Sequence, residues 1–239
     1  MNRNLYSFSK IRIFKTPTHD CSYLENRRAS TIFVDPDLMI TKSTNSELSE
    51  LGFRRSGPHL YRPDCDLCKA CISCRIPVEH FSIKNKQRRI LKRNQDLNII
   101  KTTELACSQS YELYERYINT RHKGGDMYPA TLEQYKGFIK TATSDTYFYK
   151  IYHGSQLISV SVTDELESGL SAVYTFFDPR EARRSLGIYS ILTQLQSCVD
   201  MSLPYLFLGY WIKNCKKMEY KADFRPIEIL VEGKWLLAK

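Results

Sequence analysis

The chain has 239 residues, 42% of them hydrophobic, and 35 Lys and Arg against 26 Asp and Glu give a net charge of +9. This composition excludes a disordered chain, and the length fits one large domain or two small ones. The cationic surplus points to a polyanionic partner, because Lys and Arg that neutralise phosphates release condensed counterions. No apolar run reaches the roughly 18 residues a membrane span needs, and Met1–Lys15 lacks the apolar stretch and small-residue cleavage site of a secretory signal. The expected compartment is the cytoplasm, where 8 cysteines read as thiols or metal ligands before disulfides.

In chain order, residues 19–80 carry turn formers, cysteines and short β-prone runs such as Thr31-Ile32-Phe33-Val34 before Asp35-Pro36. Within them Cys65, Cys68, Cys71 and Cys74 recur at every third position, a spacing that lets thiolates converge on one metal centre; Cys21 is a candidate fourth ligand to three of them. Zinc and an iron–sulfur cluster both remain open, as does a thiol-rich loop without metal. Residues 82–97 then turn basic: Lys84, Lys86, Arg88, Arg89, Lys92 and Arg93 read as phosphate contacts on a linker.

From about residue 105 the pattern is mixed. Helical spacing covers Tyr111–Arg121 and Leu132–Ile139, and two strands, Thr146–Tyr152 and Gln156–Thr163, flank the His153-Gly154-Ser155 turn. A strand at Leu170–Phe177 stops at Asp178-Pro179, a helix spans Leu186–Met201, and a strand follows at Tyr205–Ile212. Helix, helix, three strands, helix, strand is the order of an acetyltransferase-like (GNAT) domain. The predicted class is therefore α+β, with a small cysteine-containing unit at 1–82, a basic linker at 83–104 and a GNAT-like domain at 105–239. Arg183 and Arg184 precede Ser185-Leu186-Gly187 at the helix entry, where free N–H groups suit an anion or Ser185 serves as an ordinary N-cap. Cys215 lies beside Lys213, Lys216 and Lys217, a setting that favours thiolate, yet no paired base can be named for a nucleophilic role.

Taken in order, Cys21-Ser22-Tyr23-Leu24, Gly52-Phe53-Arg54-Arg55-Ser56-Gly57, Tyr61-Arg62-Pro63 with the cysteine run, Arg121-His122-Lys123-Gly124-Gly125, Tyr174-Thr175-Phe176-Phe177-Asp178-Pro179, Gly209-Tyr210-Trp211-Ile212 and Met218-Glu219-Tyr220-Lys221 to Phe224-Arg225-Pro226 resemble the arginyl-tRNA–protein transferase family. The likeness is nearest to its bacterial aspartate/glutamate leucyltransferase branch and spans about residues 17–235. It implies a GNAT-like domain that uses an aminoacyl-tRNA in place of coenzyme A and moves leucine onto proteins beginning with Asp or Glu, marking them for degradation. Arginine remains open as the donor. Relatives in eukaryotes carry a metal cluster near the position of Cys21; Leu24 and Ile72 stand here where those relatives have cysteines.

What the resemblance implies for the reaction is aminolysis of an ester, with the acceptor's own α-amine as nucleophile and no required cofactor. Tyr174, Gly209 and Tyr210 are expected around the ester, and Met127, Phe176 and Phe177 around the leucyl side chain. Arg121, His122, Lys221 and Arg225 are expected as partners of the acidic acceptor residue, and Arg183, Arg184, Ser185 and Gly187 join the basic run in contacting tRNA. An acetyl-CoA-dependent acetyltransferase and a metal-stabilised RNA-binding module without catalysis are the rival readings.

Overall fold

The computed structural model describes residues 11–105, 108–125, 127–139 and 145–238, so the first ten residues and Cys107 lie outside the described residues. In chain order come β1 (Ile13–Lys15), β2 (His19–Asp20), β3 (Arg28–Ala29), β4 (Thr31–Val34), helix α1 (Lys42–Glu50), β5 (Arg54–Ser56), β6 (His59–Pro63) and β7 (Ile72–Pro77). They are followed by α2 (Asn85–Arg93), β8 (Leu97–Thr102), α3 (Ser108–Arg121), α4 (Leu132–Ile139), β9 (Thr146–His153), β10 (Gln156–Leu166) and β11 (Gly169–Phe177). The chain continues through α5 (Leu186–Asp200), β12 (Tyr205–Trp211), β13 (Ile227–Val231) and β14 (Lys234–Ala238). The fold is mixed α/β.

A small sheet in the order β1-β4-β6-β5 encloses its own core of Ile32, Val34, Leu48, Phe53 and Leu60. The large sheet runs β14-β13-β7-β12-β11-β10-β9-β8, with β11 and β12 parallel to each other. Alternation along β10 separates its two faces. Val160 and Val162 join the core under α3 and α4, whereas Ser159 and Thr163 meet Ser190 and Gln194 of α5. Of the stripe the sequence indicates, Ile188, Leu192, Leu195 and Val199, the two leucines are buried together with Ile191 and Cys198, whereas Ile188 is partly buried and Val199 is 56% exposed, so the buried face of α5 is rotated from the expected one. Each buried aliphatic side chain contributes about 1.5–3 kcal/mol by leaving water.

The segment expected to be a linker at 83–104 is folded into α2 and the edge strand β8. Its Ile90 and Gln87 are buried, because α2 lays one face against α5 while its cations point outward. Likewise β7, in the part expected to be a separate cysteine-containing unit, lies between β12 and β13. Two ion-pair systems bind the small sheet to the large one. Arg55 grips Asp164 through two bonds of 2.6 and 2.8 Å, and Thr146 donates to the same carboxylate at 2.6 Å. Arg75 pairs with Glu50 and Glu228 and packs 3.5 Å from the ring centre of Tyr205.

Candidate active site

The parallel ladder between β11 and β12 is short: Gly169, Leu170 and Ser171 face Tyr205, Leu206 and Phe207, and then the strands part. A bulge on each strand follows that last rung. On β11 the pairing with β10 steps from Ala172 to Tyr174, leaving Val173 over, and on β12 the pairing with β7 steps from Phe207 to Gly209, leaving Leu208 over. An extra residue bends its strand and re-aims what comes next. Two bulges beyond one rung open a cleft between β11 and β12.

Arg54 of the small sheet enters that cleft. Its Nη1 donates to Ser171 Oγ at 2.9 Å and its Nη2 to the Ala172 carbonyl at 2.6 Å. Gly209 makes the approach possible: at φ +78° it has a backbone that L side chains rarely adopt, and a Cβ there would stand 2.7 Å from Arg54 Nε. Lys221, 4% exposed, donates its ammonium to the Tyr210 carbonyl, and burial draws its pKa down to about 8. The charge of Arg54 acts on Tyr23, Tyr61, Cys74, Tyr210 and Lys221, in each case as a smaller influence than burial.

The end of α3 supplies the other wall. Tyr117 stands 5.0 Å from the Phe177 ring, 6.3 Å from Tyr174 and 5.1 Å from His122. Tyr174 sends its hydroxyl toward Met127 Sδ at 4.0 Å, and burial holds that phenol well above its ordinary pKa, so it stays a proton donor. Met127 lies beside Tyr174, and Phe177 is placed on the other side of Tyr117. Phe176 does not line the cleft: it is fully buried, edge-on to Tyr114, in the core beneath α3. Tyr210 is also spent differently from expectation. Its hydroxyl donates to the carbonyls of Gly52 at 3.0 Å and Tyr61 at 3.3 Å, tying the cleft to the small sheet.

The four cationic candidates part company. Lys221 is in the cleft floor and Arg121 is at the mouth, its guanidinium 5.4 Å from the Phe177 ring. His122 is held neutral, since burial and then the charges of Lys217 and Arg121 lower its pKa. Arg225 lies with the last hairpin, donating to the carbonyls of Ala238 and Ala222. Arg54 was missed. The signal for it was the doubled arginine of Gly52-Phe53-Arg54-Arg55-Ser56-Gly57, which on a strand must point to opposite faces.

On the expected RNA face, Lys84, Lys86, Arg88, Arg89, Lys92 and Arg93 are all exposed. Lys86 pairs with Asp223, and Arg93 donates to the Arg183 carbonyl. Arg184 is committed to Asp96 and Glu181 and so braces the entry to α5. Ser185 occupies the N-cap position of α5 but not as an ordinary cap: its backbone is left-handed at φ +55°, and its side chain makes no cap bond. Gly187 lies within the first turn beside Phe177.

The cysteines divide as well. Cys71 lies within electrostatic reach of Cys21, Cys65, Cys68 and Cys215, and burial followed by these thiols pushes its own thiol up to about 12. Cys74 instead donates to the Gly209 carbonyl at 3.3 Å, under the influence of Lys221 and Arg54. Cys65 points to the Ser30 carbonyl at 3.7 Å. Among the described residues no three His, Cys, Asp or Glu side chains converge as metal ligands.

A cleft with cations and backbone donors at its floor, and protonated phenols on its walls, suits acyl transfer between two bound molecules. The molecule is an enzyme of that class, an aminoacyltransferase. Residues 19–89 match the family described as Arginine-tRNA-protein transferase, N terminus, and residues 109–231 match Arginine-tRNA-protein transferase, C terminus. The chain belongs to the arginine-tRNA-protein transferase family. It is 51% identical over 227 residues to an aspartate/glutamate leucyltransferase of Alcanivorax borkumensis, covering 95% of this chain and 94% of that one. Enzymes described in the same words from Acinetobacter baumannii and Hahella chejuensis are each 49% identical, covering 94% and 93% of this chain and 83% and 95% of theirs. Among solved structures, L-PGS from Bacillus licheniformis is similar at a TM-score of 0.44 and 11% identity, over 61% of this chain and 46% of that one.

Proposed function

We propose that the protein transfers leucine from leucyl-tRNA to the N-terminal Asp or Glu of acceptor proteins, marking them for degradation. The observation that carries this reading is the cleft itself: a residue from the part matched by the family's N terminus, Arg54, enters between strands of the part matched by its C terminus. The helix and strand order from β8 to β12 supports a GNAT-like catalytic domain, with the aminoacyl ester where the strands part.

The transfer needs little acid–base help. An α-amine with a pKa of about 8 is partly neutral at ordinary pH, so it attacks the ester carbonyl without a strong base. Its surplus proton passes to the Tyr174 oxygen as the amide forms, replacing the proton that Tyr174 gives to the departing tRNA 3′ oxygen. Tyr174, kept protonated, donates to that leaving oxygen, and backbone N–H groups of the bulged β11 stabilise the oxyanion. Holding amine and ester together is the larger contribution, up to about 7–11 kcal/mol. Met127 and Phe177 take the leucyl side chain. No resident cofactor enters these steps. A metal bound by Cys21, Cys65, Cys68 and Cys71 would require the loop to close around it, and no step depends on it.

Exposed cations of α2 and Arg183 would follow the tRNA backbone, which the net charge of +9 supports. Among the described residues no helix is long and apolar enough to cross a membrane, and we place the activity in the cytoplasm. The test pairs leucyl-tRNA and arginyl-tRNA with peptides beginning Asp, Glu, Lys and Arg. Leucine transfer to Asp and Glu peptides is expected; transfer of arginine alone moves the chain to the arginyl reading, and RNA binding without transfer removes the catalytic one.

A further inference from the structure

Arg54 and Lys221 share an unusual circumstance. Lys221 is buried and Arg54 half-buried at the cleft floor, yet among the described residues neither pairs with a carboxylate. Arg54 donates to a serine hydroxyl and a carbonyl, and Lys221 to a carbonyl. The acidic groups nearest Lys221 are the thiols of Cys74 and Cys215, and burial raises the pKa of Cys74 and keeps it neutral. Other enclosed arginines of this chain are compensated: Arg55 holds Asp164, and Arg75 holds Glu50 and Glu228. Withdrawing a cation from water is costly without an opposing charge, so two uncompensated cations in one cleft call for an anion from outside the chain.

We infer that Arg54 and Lys221 form the seat for the side-chain carboxylate of the acceptor's first residue. The inference rests on the acidic-acceptor reading above. A carboxylate suits the seat because a guanidinium fork offers it two parallel donors. The seat is also in the right place: Arg54 bonds to Ser171 and Ala172, the last paired residue of β11 and the first beyond it, so a carboxylate held there brings its own α-amine to the opening of the cleft. A tRNA phosphate is the competing anion, but α2 offers exposed cations that an RNA strand reaches without entering the floor.

The test measures leucine transfer by the full chain to peptides differing only in their first residue, Asp, Asn, Glu or Gln. With Arg54→Met the ratio of kcat/KM for Asp over Asn should fall on the order of a hundredfold, through the acceptor KM. Arg54→Lys, which keeps the charge without the fork, should restore part of that ratio. An equal loss on all four peptides overturns the inference and leaves Arg54 as a brace between the strands. A raised KM for leucyl-tRNA with the acidic preference intact assigns the two cations to RNA. If the unmodified chain shows no preference for Asp over Asn while still transferring leucine, the acidic-acceptor reading itself fails. Should both variants fail to fold, the parent decides: an N-acetylated Asp peptide is expected to protect Arg54 from phenylglyoxal labelling at least tenfold better than its Asn counterpart, and equal protection overturns the seat.

Discussion

Arg54 and Arg55 are neighbours on one short strand with opposite fates. The side chain of Arg55 is 2% exposed and clamped to Asp164, itself 1% exposed, while Arg54 turns to the other face and meets no carboxylate among the described residues. Alternation sends the two side chains to opposite faces. What separates their roles is the company on each face. A closed, hydrogen-bonded pair is a joint between two sheets, whereas a cation left with neutral partners is a place for something that comes and goes.

That contrast can be broken experimentally, beginning with the joint. Asp164→Ala strands Arg55 without its partner and should cost about 3–5 kcal/mol in urea unfolding. A loss no larger than that of Arg54→Met would erase the difference between the two arginines. The cleft floor gives the next largest effect. Burial lowers the pKa of Lys221 from 10.5 to about 8, so the unfolded chain binds more protons between those values and this residue's contribution to stability rises with pH there. Against Lys221→Met, the parent should gain about 3 kcal/mol on going from pH 8 to 10.5, with no divergence below pH 7. Parallel stability curves would mean that Lys221 is better solvated than its setting implies.

Gly209→Ala tests the entry of Arg54. The added methyl meets the guanidinium and the backbone is left strained, so about 1–3 kcal/mol of stability should be lost together with transfer activity. Full activity would show that Arg54 need not sit between the strands. The smallest effects belong to α2: Arg89→Ala should change stability by less than about 0.5 kcal/mol yet lower the salt dependence of tRNA binding by about one ion. An unchanged slope removes Arg89 from the RNA face.

Local signals made much of this readable in advance. The helical period of α5, the turn signalled by His153-Gly154-Ser155 and the stops at Asp178 and Pro179 are short-range features, and the elements from α3 to β12 formed where they indicated. The pairing of β7 was hidden, because a strand is placed by partners far along the chain and its own six residues do not name them. Its cysteine, Cys74, looked like the end of a metal-binding run when read by spacing, whereas the strand turns its thiol to the Gly209 carbonyl. Lys221 was legible as a cation near the site, but its burial was not. Phe176 and Phe177 were indistinguishable as aromatics, and only tertiary packing seals the first beneath α3 and leaves the second partly buried beside Tyr117 and Gly187. Arg54 was quoted within its motif without a role, because what makes it informative is that, among the described residues, its partners are a hydroxyl and a carbonyl and not a carboxylate.

The position of β7 has a consequence for the chain's birth. Pro77 pairs with Tyr205 and Arg75 with Glu228, so the strand leaves the ribosome long before the segments that flank it exist. Contacts this distant in sequence form slowly, and until they do β7 offers two unsatisfied edges to any other extended chain. A nascent polypeptide interrupted before residue 205 would be a sticky intermediate, a natural client for chaperones, and Arg54 of the small sheet would have to wait for β12 to be translated before the cleft it enters could exist.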